Sequence, residues 1–593
     1  MTTRDQSAAH QLGAFTGHAV GHNAPRVASA PACIVLIHHG ELRSTERNLI
    51  KLVEFVGGTV VVQDSAERIA LPENCRCVLA SARAVSSLSD RDALIGLARN
   101  ILVYGFGTDS ADAKLASELS VGSIRGTEAI PAGEVEISVS DRAHDLCREL
   151  SGLNFKWTAP ERQWTFTSAA TAETLVSIDG KATFVRLSGN ELELMLLAGE
   201  IPDLDAAVRE KESALPFFPV LAPLMMFLRK NFPSELWHNN VPRACLIIDD
   251  PLLKRRYGFL NFGELKACME GRRFAASVAF IPWNCGRSEA EIASLFAASE
   301  NRYSICVHGC EHTREEFGID DVTLLAGKAR RALELMAEHR ERSGVEFDDV
   351  MVFPQGIFST AAMKALETSG YLAAINSTVY PVDSRAVLRL RDLLQVSVTS
   401  FSAVPLFARR YPRQFAELAF DLFLGKPAFV VEHHGFFRQG YAALAALVEK
   451  LHTIAPNLEW MNPAAIVSQT CLTRLTENGA THVRFFTNRF ALRNDTERAQ
   501  EYVLFRQLPV GVNEVVATVN GRGCNSELIN GELRFEVNLT GGETANVKIR
   551  FPQLETAIAP WVASPLHRVR VFIRRMLSEF RDNFADRIRG SSR

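Results

Sequence analysis

The sequence predicts a multidomain α/β protein: an N-terminal α/β domain with added antiparallel strands, a central (β/α)7 barrel and a C-terminal β-sandwich. Three observations predict it. A chain of 593 residues is too long for one hydrophobic core. Between about residues 216 and 470, seven short apolar runs alternate with amphipathic or turn-rich segments. After residue 476 the pattern changes to short strands separated by Gly and Asn turns.

Residues 1–30 are polar, rich in small residues and unpatterned, and read as a disordered tail. The domain over 31–215 begins with "ACIVLIHHG", the helical "STERNLIKLVEFVG", then "GTVVVQ", "CRCVLAS", the helical "RDALIGLARN" and "NILVYGF". Such alternation describes a parallel sheet wrapped by helices. From about 134 to 197, "VEISVS", "QWTFTSA", "ATFVRLSG" and "LELMLLAG" read as antiparallel strands. This region has neither a Gly-rich phosphate loop nor a nucleophile elbow, and its role stays open.

The seven central runs are "ACLIID" at 244, "ASVAFI" at 276, "SICVH" at 304, "VMVF" at 350, "LAAIN" at 372, "QVSVT" at 395 and "AFVVEHH" at 428. They predict an incomplete barrel with parallel strands, whose active residues cluster where strands end and loops begin. The all-β region runs from about 476 to 555. A last segment, 556–593, puts Val569, Phe572, Ile573, Met576, Leu577, Phe580, Phe584 and Ile588 on one helical face, with eight arginines against three acids from Ser564 onward. Such a helix can lie on an anionic membrane surface or dock on protein.

Composition excludes several classes. Apolar residues at 47% and charged residues at 22% describe a soluble globular chain, and a net charge of −3 gives no case for nucleic acid. Eleven scattered cysteines argue for reduced thiols. The N-terminus lacks the apolar stretch of a signal peptide, and no run reaches the roughly 18 apolar residues of a spanning helix. The expected location is cytoplasmic, with peripheral contact at the inner membrane face open to the basic helix.

Three barrel runs end in groups able to ligate metal or move protons: "LIIDDP" with Asp249 and Asp250, "SICVHGCEHT" with His308 and His312, and "VVEHHGFF" with Glu432, His433 and His434. Unpaired charge at a buried strand end is costly, so this convergence points to chemistry. His308 and His312 are four apart, and a helical turn after the strand would aim both at one ion. A structural site on Cys306, His308, Cys310 and His312 does not close, because the outer two lie about 20 Å apart along an extended strand. A zincin motif is excluded by the position of the glutamate. An open catalytic site needs a third ligand, which one carboxylate of "IIDDP" can supply, leaving the other near the ion as general base. After the second strand, Trp283 and Asn284 in "AFIPWNCGRS" are candidates for substrate contact, with a Pro-Trp corner that packs a loop as the alternative.

These residues resemble the polysaccharide deacetylases of the NodB homology type, carbohydrate esterase family four, over about 250 residues. The resemblance implies a distorted (β/α)7 barrel, with Asp249 as base and Asp250, His308 and His312 as metal ligands. "VFPQG" is similar to the family's third motif and adds Pro354 to the substrate groove. "VVEHH" is similar to the motif that supplies the general acid. Val431 stands two before His433, as the family pattern asks, so His433 is favoured and His434 kept as the alternative. The arginine that orients the base is replaced by Val352; Arg255, Arg256, Arg287 and Arg314 are the candidates to stand in. Asp383 and Asp392 are candidates for the aspartate that tunes the acid. The implied function is metal-dependent removal of an N-acetyl or O-acetyl group from a saccharide or glycoconjugate. The expected cofactor is zinc, with cobalt, nickel or iron as alternatives. A non-catalytic carbohydrate-binding or scaffold protein on the same barrel, or a hydrolase of another C–N bond, are the rival readings.

Overall fold

The computed structural model describes residues 32–88, 98–107, 109–168, 172–188, 192–208, 213–299, 302–383, 387–509, 511–554 and 559–585. The expected disordered tail, most of the helix expected over 91–100, and Ile588 lie outside them.

The N-terminal sheet runs in the order Val60–Asp64, Cys33–His38, Cys75–Ser81, Asn100–Phe106, Glu193–Ala198, Lys181–Ser188, Glu173–Ile178, Gly133–Val139, Asn154–Ala159. Its first five strands are parallel and the rest antiparallel. Glu193–Ala198 joins the two regimes, pairing parallel to Asn100–Phe106 and antiparallel to Lys181–Ser188. The helix Phe218–Asn231 carries Pro219 near its start and Pro223 inside, and is buried along most of its length. It packs into the core under this sheet together with Phe420 and Phe423 from a barrel helix.

Seven parallel strands close the central barrel: Arg243–Asp249, Ala276–Phe280, Tyr303–His308, Phe347–Val352, Ala373–Asn376, Leu406–Arg410 and Ala428–His433, the last pairing back to the first. Inside it sit Cys245, Ile247, Ala279, Cys306, Val350, Val352, Phe407 and Phe429. Six strands coincide with the expected runs. The sixth does not. "QVSVT" is largely buried but bends instead of forming a strand: Val396 packs with Phe407 and Phe429, and Val398 makes a single antiparallel bridge to Leu406. The strand is "LFARR", whose two arginines disguise it; each meets a buried carboxylate, Arg409 with Asp249 and Arg410 with Asp421.

Beyond the barrel, a five-stranded and a four-stranded sheet enclose a separate apolar core around Phe485, Phe490, Leu504, Phe535 and Val547. The chain then returns to the barrel as the helix Pro565–Phe580, followed by a wider turn over Arg581–Ala585.

Candidate metal centre and catalytic cluster

Strand parity aims the site. Side chains two apart on a strand share a face, so Ile247 and Asp249, Cys306 and His308, Phe407 and Arg409, and Val431 and His433 all point into the barrel. Asp249 and His433 are direct neighbours across paired strands. Asp250 follows at φ +81°, a conformation that non-glycine residues adopt at a cost of about 1–3 kcal/mol; it turns the next carboxylate back over the rim.

His308 ends its strand, and the following loop brings His312 beside it. That loop is a turn rather than the expected helical turn. Gly309 takes φ +62°, where a Cβ would stand 2.4 Å from Pro354 Cγ. The Glu316 carboxylate then accepts the backbone N–H groups of Cys310, Glu311 and His312 at 3.3, 3.0 and 2.9 Å. His312 itself sits at φ +55°. Glu316 therefore shapes the loop that joins the two histidines, a contact that no spacing in the sequence signals.

The Asp250 carboxylate and the imidazoles of His308 and His312 lie together, with one ligand atom of each within 4.8 Å of the others. Asp250 Oδ1 is 3.5 Å from His308 Nε2 and 3.1 Å from His312 Nε2. It is buried and makes no well-directed hydrogen bond to either. Three donor atoms facing one another without bonding fit a divalent ion. His308 Nδ1 is 3.0 Å from the Val352 carbonyl, which can only accept. Nδ1 therefore carries the proton, and the Nε2 lone pair faces the cluster. Burial alone would raise the Asp250 carboxyl; contact with His308 and His312 outweighs it and holds the group well below the usual carboxylate range.

Asp249 is 3% exposed and is gripped by a residue the sequence reading missed. Arg409, itself 2% exposed, reaches both carboxylate oxygens, Nη1 to Oδ1 at 2.6 Å and Nη2 to Oδ2 at 2.7 Å. Burial pushes Asp249 upward, and the Arg409 charge and then His308 reverse it, so the group stays ionised. Arg409 is the arginine paired with Asp249; none of Arg255, Arg256, Arg287 and Arg314 holds that place. Of those, Arg287 instead bonds Asn284 and Glu579, and Arg314 pairs with its neighbour Glu315.

His433 Nε2 stands 3.9 Å from Asp249 Oδ2, its ring stacked on Tyr411. His434 turns the other way, between Tyr257 and Phe259, with Nε2 3.8 Å from Asp582. Asp383 accepts from the Thr360 backbone and hydroxyl, and Asp392 from the Arg389 backbone; both are engaged in helix starts. Asn284 is buried and accepts from Arg287, while the Trp283 backbone donates to the Cys310 carbonyl. Pro354 is buried against Gly309. Cys306 and Cys310 are buried, with thiols pushed up by burial.

Fold and site together define a closed seven-stranded parallel barrel with an Asp–His–His cluster on its carboxyl-terminal rim, and the chain resembles the polysaccharide deacetylases. No family model matches the chain, and no curated protein matches it. Among solved structures it is similar to a carbohydrate deacetylase described as novel, at 10% identity and a TM-score of 0.44, covering 87% of this chain and 98% of that one. A polysaccharide deacetylase from Mycobacterium smegmatis is 18% identical, with a TM-score of 0.26 and coverage of 38% and 90%. A family-four pseudoenzyme from Bacillus anthracis is 11% identical, with a TM-score of 0.23 and coverage of 38% and 67%.

Proposed function

We propose that the barrel hydrolyses an acetyl group, N-acetyl foremost and O-acetyl as the variant, on a saccharide or glycoconjugate. One observation carries the reading: the three-donor cluster of Asp250, His308 and His312 lies beside a second, ionised carboxylate held by Arg409, with a histidine 3.9 Å from that carboxylate.

Asp250, His308 and His312 would hold the ion, with zinc favoured by two imidazoles and one carboxylate. Bound there, it supplies Lewis acidity toward the acetyl carbonyl and toward water. Asp249 takes the proton from the attacking water; Arg409 keeps its carboxylate charged and fixed in direction. His433 gives a proton to the departing nitrogen or oxygen. His308 keeps its tautomer through Val352, and Glu316 keeps the histidine loop folded. The barrel wall around Asp249 excludes bulk water, which strengthens each charge interaction.

The test is acetate release from a panel of acetylated amino sugars and their oligomers, with metal content determined on the same preparations of wild type and Asp249→Asn. Both proteins should carry about one metal per chain, and wild type alone should release acetate. Full metal occupancy with no release from any acetylated sugar would favour a binding protein instead.

A further inference from the structure

The helix Pro565–Phe580 sits on the barrel the wrong way round for a core element. An amphipathic helix ordinarily buries its apolar stripe. Here the stripe at His567, Val571, Arg575, Glu579 and, past the helix end, Asp582 faces the protein, and most of it is polar. His567 Nε2 lies 2.8 and 3.0 Å from the two oxygens of Glu311, a carboxylate that is 0% exposed and also meets Lys328. Glu579 pairs with Lys254 and Arg287. The Tyr257 hydroxyl donates to Asp582 at 2.7 Å, and the Gly258 N–H donates to Asn583 at 2.7 Å. Arg575 is buried on the same stripe and donates to the Ser578 hydroxyl at 3.2 Å. With Asp582 also 3.8 Å from His434 Nε2, these contacts lay the segment along the rim that carries Asp250, His308, His312 and His434.

The opposite face is bare. Leu566, Val569, Phe572, Ile573, Met576, Leu577, Phe580 and Phe584 are all exposed, Leu566 to 81%, and every exposed Phe among the described residues is on this segment. Its flanks carry Arg568, Arg570, Arg574 and Arg581, and Arg570, Arg574 and Arg581 share one shallow recess with Ile573 and Leu577. Both acids of the described segment, Glu579 and Asp582, are turned inward, Asp582 also pairing with Arg581, so the charge at the edge of the apolar face is that of Arg568, Arg570 and Arg574. A contiguous apolar patch edged by guanidiniums, on a chain of net charge −3, is complementary to an anionic lipid surface rather than to bulk water.

We propose that Pro565–Ala585 is an interfacial lid. In the free protein its polar stripe latches over the cluster; on an anionic membrane its apolar and arginine face seats in the lipid, and the latch to Tyr257, Gly258 and Glu311 opens. The cluster then opens against the membrane surface. This does not depend on the deacetylase reading, because seating and release are measured without substrate.

The full chain is mixed with vesicles of phosphatidylcholine alone and with vesicles of phosphatidylcholine and phosphatidylglycerol in equal parts. Flotation reads binding, and hydrogen exchange of the Lys254–Gly258 peptide reads the latch. Binding to the anionic vesicles is expected to be at least about tenfold stronger and to weaken with salt. Exchange at Lys254–Gly258 should accelerate only when those vesicles are present. Phe572→Ser with Phe580→Ser, both exposed and tolerable to the fold, should abolish both effects, and Arg568→Gln with Arg570→Gln should weaken binding about thirtyfold. Equal binding to both vesicle types, or binding unchanged by the face variants, would overturn the proposal. So would binding with unaltered Lys254–Gly258 exchange, or a dimer that the Phe variants dissociate while vesicles leave the chain unbound.

Discussion

Arg409 and Asp249 meet in a two-pronged ion pair inside the barrel, with nitrogen–oxygen distances of 2.6 and 2.7 Å and both side chains almost wholly buried. Removing one partner leaves an uncompensated charge in low dielectric. Arg409→Met should therefore cost about 3–5 kcal/mol of stability, whereas Asp249→Leu with Arg409→Met should cost much less than the two single changes together. Urea unfolding of the four proteins checks this. Arg409→Met should also lack acetate release at temperatures where it remains folded.

Glu316 collects three backbone N–H groups that fold the loop between His308 and His312. Glu316→Ala should lower zinc affinity about 10–100-fold by loosening the ligand pair, without removing a ligand. Calorimetric zinc titration against wild type measures it, and an unchanged affinity would remove Glu316 from the account.

The two adjacent histidines should behave differently. His433→Ala should keep metal and lose about 10²–10⁴-fold in acetate release, the usual contribution of a general acid. His434, turned toward Tyr257 and Asp582, should cost far less. Steady-state kinetics with metal content on both variants separates them.

Asp348 supplies a pH dependence. Its carboxyl lies inside the barrel wall, accepting from the Ser304 hydroxyl at 2.8 Å, and burial above all pushes it up to about 7. An acid whose folded pKa exceeds its unfolded value of about 4 stays protonated in the fold after the unfolded chain has ionised. Its contribution to stability is therefore full below about pH 4 and falls as pH rises toward 7, by roughly 4 kcal/mol at most. The difference between wild type and Asp348→Asn should shrink or reverse across that window. Urea midpoints at a series of pH values test the sign.

Much of this was legible in the residues. Six barrel strands announce themselves as apolar runs because a parallel strand covered on both faces needs apolar side chains at every position. The sixth does not, since Arg409 and Arg410 interrupt "LFARR", while "QVSVT" nearby has the better strand composition but bends instead of forming a strand. That single displacement also hid the arginine beside Asp249. A search for an inward position two residues after an apolar one, on every strand adjoining "AFVVEHH", could have found it. That His308 and His312 come together was readable from their spacing, but the turn that joins them was not: it depends on Glu316 reaching back to three backbone groups. The C-terminal helix shows its two faces plainly in sequence. Which face meets the barrel was not readable, because the partners of its polar stripe, Glu311, Lys254 and Tyr257, lie some 250 or more residues away.

The proposed chemistry needs one ion held by Asp250, His308 and His312. Crystals of the full chain grown with zinc, measured on both sides of the zinc absorption edge, test it directly. The predicted result is an anomalous peak about 2.0–2.2 Å from Asp250 Oδ1 and from the Nε2 atoms of His308 and His312, absent from crystals of His308→Ala. A zinc peak elsewhere, or none at these three atoms in a fully zinc-loaded protein, would contradict it.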